Sequence, residues 1–170
     1  MLKEHLQQRV YDFIDAHHLH DPRTYKANLE QLKKVFTFRR LPATSPTYAF
    51  SFRPEPFPNG PVPPVSIYVR DGLTYEERRM AIAHEVGHAI LDHLGSHALY
   101  KIAPYFHTKD EREAWQAAAI LLIPEHAIDD SPHVRWLERV TLTPAWLINE
   151  YPYVQRAFSL PMQTRPAMFR

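Results

Sequence analysis

Apolar positions Leu2, Leu6, Val10, Phe13 and Ile14 recur at three- and four-residue intervals, the stripe of an amphipathic helix over about residues 2–19, closed by Asp21-Pro22. A second helix is expected from about Arg23 to Phe38, with Tyr25, Leu29, Leu32, Val35 and Phe36 inward. The pattern then changes. "TYAFSF" and "VSIYV" are short, rich in aromatic and β-branched residues, and separated by an Asn59-Gly60 turn signal, so they are expected to be strands of one small sheet. Prolines at their margins suggest edge strands, because a proline nitrogen cannot donate to a ladder. Helical spacing returns in "TYEERRMAIAHEVGHAILDHL", where Thr74 followed by Glu77 forms a capping box; this helix is expected to persist to about Leu94 and stop at Gly95. Thr108 followed by Glu111 is a second box, opening "KDEREAWQAAAILLIP", which ends before Pro124. Ser131-Pro132 and Thr143-Pro144 each set a capping residue before a proline suited to a first helical turn, so two short helices follow.

These elements predict an α+β fold with helices packed on a small, edge-exposed antiparallel or mixed sheet. The 170 residues fit a single domain. Within it, residues 1–40 supply N-terminal helices, 45–125 a core of strands and chemistry, and 126–170 C-terminal helices. With 45% hydrophobic and 23% charged residues the chain is neither a disordered tail nor a membrane protein, and no apolar run approaches membrane-spanning length. The N-terminal segment, interrupted by Glu4, Arg9, Asp12 and Asp15, lacks a signal peptide's apolar centre, and a cytoplasmic location is expected. Net charge is +1, so no global field attracts nucleic acid. A nucleic-acid role would rest on the doublets Lys33-Lys34, Arg39-Arg40 and Arg78-Arg79, which more commonly lie on solvated faces, and no direct nucleic-acid partner is expected.

The absence of cysteine removes thiolate chemistry, so any metal must be held by histidine and carboxylate. "HEVGH" offers that set. His84 and His88, four residues apart on a helix, lie on one face and can direct imidazole nitrogens at one ion; Glu85 can sit beside the ion and accept a proton from a water there. Nitrogen ligands with open coordination suit zinc, or another divalent transition metal, better than magnesium or calcium. A lone interior histidine is usually a satisfied core residue. Three polar groups on one turn flanked by Met80, Ile82, Val86 and Ile90 would be costly to bury without a shared purpose. Gly87 strengthens that reading, since it costs about 1 kcal/mol in a helix interior and makes room for another backbone.

A third ligand is expected from outside this helix. His93 is rotated from the His84/His88 face, His97 falls beyond Gly95, and both suit a helix C-terminus; Asp92 continues the row but moves away along the axis. In "DEREAW", Glu111 is employed by the capping box and Asp110 is favoured by the helix dipole, which leaves Glu113 as the carboxylate without a structural reason. Ala114, Ala117 and Ala118 would let the two helices press together. Glu113 as a solvated surface residue is nearly as compatible with spacing alone.

From about Val65 to Pro124 the chain resembles the ImmA/IrrE family of small zinc-dependent metallopeptidases. "RRMAIAHEVGHAIL" is similar to the family's Arg-Arg-Phe-x-Ile-Ala-His-Glu-Leu-Gly-His-x-Leu-Leu. "EREAWQAAAILLIP" resembles Glu-x-Glu-Ala-Asn-x-Phe-Ala-Ala-x-Leu-Leu-Met-Pro. The resemblance implies a zincin-like, gluzincin-type peptidase domain with zinc on His84, His88 and Glu113 and Glu85 as general base. It also implies a protein substrate, often a helix-turn-helix repressor cut in prophage, mobile-element or DNA-damage settings. Trp115 stands where the family usually has Asn or Asp, and Ala117 where it often has Phe. The first removes a polar contact that would orient a ligand, so a non-cleaving metal-binding module is the rival reading. Tyr100, Tyr105, His107, His126 and His133 are candidates to stabilise an oxyanion, and the strand "VSIYV" is expected to hold an extended substrate by strand addition.

Overall fold

A computed structural model of the chain describes residues 2–54, 63–93, 98–99, 102, 108–151 and 154. Six α-helices are present among them: α1 (Glu4–His17), α2 (Tyr75–Ile90), α3 (Lys109–Leu122), α4 (Glu125–Asp129), α5 (Val134–Thr141) and α6 (Ala145–Ile148). The strands are β1 (Thr37–Leu41), β2 (Ala49–Phe52), β3 (Ser66–Arg70) and β4 (Ala98–Leu99), in the order β1-β3-β2-β4. The fold is α+β, as the pattern predicts. β1 runs parallel to β3, whereas β2 is antiparallel to both β3 and β4, so the sheet is mixed.

Two expectations are corrected. The helix expected over residues 23–38 is a short 3-10 helix, Leu29–Lys34, followed by β1, whose register pairs Phe38 with Ile67 and Arg40 with Val69. Parallel pairing satisfies the backbone of residues 37–41 from a partner about thirty residues away, a non-local gain that apolar spacing within the segment does not register. The proposed edge strands are also interior: β3 is flanked by β1 and β2, and β2 by β3 and β4. Pro54, Pro63 and Pro64 lie outside the ladders and remove no donor from them, so a substrate strand cannot add to "VSIYV". The Asn59-Gly60 turn lies outside the described residues.

α2 lies between the sheet and α3, touching β2 and β3 as well as α3. That placement buries it on nearly all sides, including Ala81, Ala83, Val86 and Ile90. α3 is buried without interruption over residues 113–122, as expected for a helix apolar around most of its circumference. Val10 and Ile14 of α1, and Leu147 and Ile148 of α6, belong to the same core as these helices. α5 starts two residues later than Ser131-Pro132 suggests: His133 is the N-cap, its ring accepting from the Trp136 N–H at 3.1 Å. Among the described residues no helix is long and apolar enough to cross a membrane.

Candidate metal centre

The capping box of α2 is complete. Thr74 Oγ1 accepts from the Glu77 N–H at 3.2 Å and Glu77 Oε2 accepts from the Thr74 N–H at 2.9 Å, which fixes where the helix begins. The helix ends four residues before the expected Leu94. Asp92 takes a left-handed conformation, φ 55°, and the His93 N–H donates to His88 O at 3.1 Å. This six-to-one bond is the signature of a Schellman ending, with aspartate filling the position usually held by glycine. Arg9 and Arg53 hold the Asp92 carboxylate at 2.6 and 3.0 Å. The turn carries His93 back beside the helix, with its Nδ1 2.9 Å from His88 Nδ1. His93 is therefore adjacent to the histidine pair, not rotated away from it as a continuing helix would require. Gly95 and His97 lie outside the described residues.

Gly87 and the alanines of α3 do what their sizes suggest. A Cβ at Gly87 would fall 2.7 Å from Ala114 O and 3.2 Å from Ala117 Cβ. Hydrogen alone fits there, and the two backbones approach accordingly. Ala117, in place of a bulkier residue, is part of that seam.

The approach brings a carboxylate to the histidines, and it is Glu111. His84 Nε2 and His88 Nε2 are 3.1 Å apart; Glu111 Oε2 is 3.3 Å from the first and Glu111 Oε1 3.4 Å from the second. Glu113, expected to complete this set, faces elsewhere: its Oε2 is 3.5 Å from His93 Nε2 and its Oε1 3.5 Å from Lys109 Nζ. Two residues on a helix differ by about 200° in direction, so both carboxylates cannot face the same point on α2. The capping inference misdirected the choice because only half of the second box forms. Thr108 Oγ1 accepts from the Glu111 N–H at 3.2 Å, which leaves the carboxylate to reach across to the imidazoles. Asp110 groups with His93 and Glu113.

Burial would raise the Glu111 carboxyl, but hydrogen bonds and charge from His84 and His88 outweigh it and hold the group well below the usual carboxylate range. Glu85 behaves oppositely. Burial, reinforced by the nearby Glu111 charge, pushes its pKa up to about 8, while Ser51 of β2 partly offsets the shift. Neither Glu85 oxygen makes a full hydrogen bond among the described residues. Glu85 is thus a buried carboxyl beside a histidine pair, in surroundings that favour its neutral form.

Trp115, almost completely buried, lies against the His84 ring with centroids 4.3 Å apart and meets Trp146 edge-on at 5.0 Å. Trp115 thus forms an aromatic wall against the His84 ring. Of the oxyanion candidates, His126 Nε2 is 2.8 Å from Thr24 O and His133 caps α5, while Tyr100, Tyr105 and His107 lie outside the described residues. The basic doublets are partly spent: Arg79 is buried and donates to Ala27 O, Lys33 pairs with Glu30, and Arg40 lies 4.0 Å from Asp71.

The donor set fits a transition metal. Zinc bonds to nitrogen and oxygen of about 2.0–2.1 Å in a tetrahedral arrangement put neighbouring ligand atoms about 3.3 Å apart. The separations of 3.1, 3.3 and 3.4 Å among the imidazoles and the Glu111 carboxylate lie on either side of that value. Two imidazole nitrogens and one carboxylate are also ligand types that zinc accepts in hydrolytic sites. Neither the curated proteins nor the solved structures contain a match to this sequence. A family model does match, that of Peptidase M78, described as the IrrE N-terminal-like domain, over residues 30–163, and the chain belongs to that peptidase family.

Proposed function

We propose that the chain is a zinc-dependent endopeptidase in which His84, His88 and Glu111 hold the metal and Glu85 is the general base, acting on a regulatory protein such as a helix-turn-helix repressor. The observation that carries this reading is the convergence of His84 Nε2, His88 Nε2 and the two Glu111 carboxylate oxygens, at 3.1, 3.3 and 3.4 Å, next to the buried Glu85 carboxyl. Membership of a peptidase family supports hydrolysis of a peptide bond. The repressor as substrate is supported by the resemblance of "HEVGH" and "EREAWQAAAILLIP" to a family that commonly cuts such proteins.

When bound, zinc supplies Lewis acidity, polarising the scissile carbonyl and making a nearby water easier to deprotonate. The chain's own residues do the rest. Glu85 accepts a proton from the attacking water on a carboxylate oxygen and returns it to the leaving amine, so one group serves as base and then as acid. Glu111 adds negative charge to the ligand set and keeps the histidines turned toward each other. Trp115 closes the far side of His84 to water and fixes the ring by contact. Strand addition by an extended substrate would use β4, the sheet edge next to β2, whose Ser51 faces Glu85.

The test is Glu85→Gln in the purified protein, incubated with a candidate helix-turn-helix repressor. Zinc content by elemental analysis should be unchanged while cleavage falls by about 10²–10⁴-fold; undiminished cleavage rejects the mechanism. Trp115 favours a second reading, a metal-stabilised module that docks a regulator without cutting it, because an aromatic contact orients His84 less sharply than a hydrogen bond would. That reading yields complex but no fragments, with or without a chelator.

A further inference from the structure

We infer that Glu113, His93 and His88 form a positioning relay that sets the proton on His88 and thereby makes it a metal ligand. The inference rests on the reading that His88 Nε2 binds the metal.

His88 is engaged at both ring nitrogens. Nε2 faces His84 and Glu111, and Nδ1 is 2.9 Å from His93 Nδ1. His93 Nε2 lies 3.5 Å from Glu113 Oε2, and Lys109 Nζ is 3.5 Å from the other oxygen of Glu113. The His93 and Glu113 side chains are only 8% and 10% exposed, so water competes little for these contacts.

A neutral imidazole carries one proton, and a nitrogen that binds metal carries none. With Nε2 of His88 as the ligand, its proton is on Nδ1 and is donated to His93 Nδ1. His93 Nδ1, accepting, carries no proton, so the His93 proton is on Nε2, the nitrogen 3.5 Å from the Glu113 carboxylate. A carboxylate only accepts, which ends the chain in the required direction. Lys109 balances its charge. Reversing every bond would place a proton on His88 Nε2 and remove the lone pair that the metal needs.

The same logic opposes a second ion on His93, Asp110 and Glu113, although ligand atoms of these three lie within 4.8 Å of one another. Metal on His93 Nε2 would move that ring's proton to Nδ1, forcing His88 Nδ1 to accept and His88 Nε2 to be protonated. One ion excludes the other. The relay also gives Glu113, which does not reach the histidine pair, a place in the site.

The test uses the full chain, stripped of metal and titrated with zinc against a chromophoric chelator. Partners that hydrogen-bond the other nitrogen of a metal-binding histidine are worth about 10–100-fold in metal affinity. His93→Leu should weaken zinc binding by that factor. His93→Asn should recover much of the loss, because its Oδ1 can accept where Nδ1 did. Glu113→Gln should lose less than His93→Leu. Imidazole ¹⁵N NMR of the zinc-loaded wild type should find His88 protonated at Nδ1 and His93 at Nε2, a signature that a merely structural role would not fix. Wild-type affinity in His93→Leu, equal weakness of the Leu and Asn variants, or two zinc ions per chain would each overturn the relay. Absence of zinc binding in the wild type, or undiminished binding in Glu111→Gln, would instead overturn the metal assignment beneath it.

Discussion

Gly87→Ala is the smallest change that tests how the site is assembled. Two effects oppose each other. Alanine in a helix interior gains about 1 kcal/mol over glycine. The added Cβ would meet Ala114 O at 2.7 Å, and that oxygen is backbone, which cannot rotate aside. A carbon next to a carbonyl oxygen rests at about 3.3 Å, so α3 must move off α2 by roughly 0.6 Å. Overpacking of this kind costs about 1–3 kcal/mol, so a net loss of about 1 kcal/mol is expected in urea denaturation of the metal-free protein. Zinc affinity should fall as well. Glu111 lies three residues before Ala114, and a shift of roughly 0.6 Å exceeds the ±0.2 Å that a metal–ligand bond tolerates. A variant as stable as wild type, or more so, with unchanged zinc affinity would show that the helices do not meet in this way and would refute the packing argument.

Further expectations concern the surroundings of the site. Metal-free Glu85→Gln should be more stable than wild type near pH 8, with the difference vanishing toward pH 5. The folded carboxyl keeps its proton up to about 8 and the unfolded one loses it near 4.5, so wild-type stability falls as pH rises through that window; parallel melting curves for the two proteins would disprove the burial effect. Asp92→Gly should be close to neutral, since glycine accepts φ 55° and the exposed ion pairs to Arg9 and Arg53 are worth about 0–1 kcal/mol. Asp92→Val, by contrast, should lose at least about 1–2 kcal/mol and weaken zinc binding through His93, and equal behaviour of the two would argue against the Schellman turn. Thr74→Ala should cost about 1 kcal/mol in chemical denaturation while leaving zinc affinity unchanged, because the cap is ten residues from His84.

Much of the site is local and was therefore legible in the sequence. Thr74 and Glu77 start α2 through contacts three residues apart, and four-residue spacing alone puts His84 and His88 on one face. Gly87 with Ala114 and Ala117 announces a close helix pair before any coordinates are known. The end of α2 was harder to read: an aspartate in the left-handed region, supported by arginines from α1 and the end of β2, stopped the helix ahead of the glycine that the chain offers.

The sequence by itself determined that a histidine pair, a neighbouring carboxyl and a carboxylate-bearing second helix would share one site. Tertiary structure alone decided that Glu111 faces the pair while Glu113 faces His93, and that "VSIYV" lies inside the sheet with β1 beside it. The reason is common to both. Rotation of α3 about its axis, and the choice of a parallel partner for β3, are fixed by contacts between segments far apart in the chain. Glu111 and Glu113 differ by two residues, which is almost no distance along a helix and more than half a turn around it.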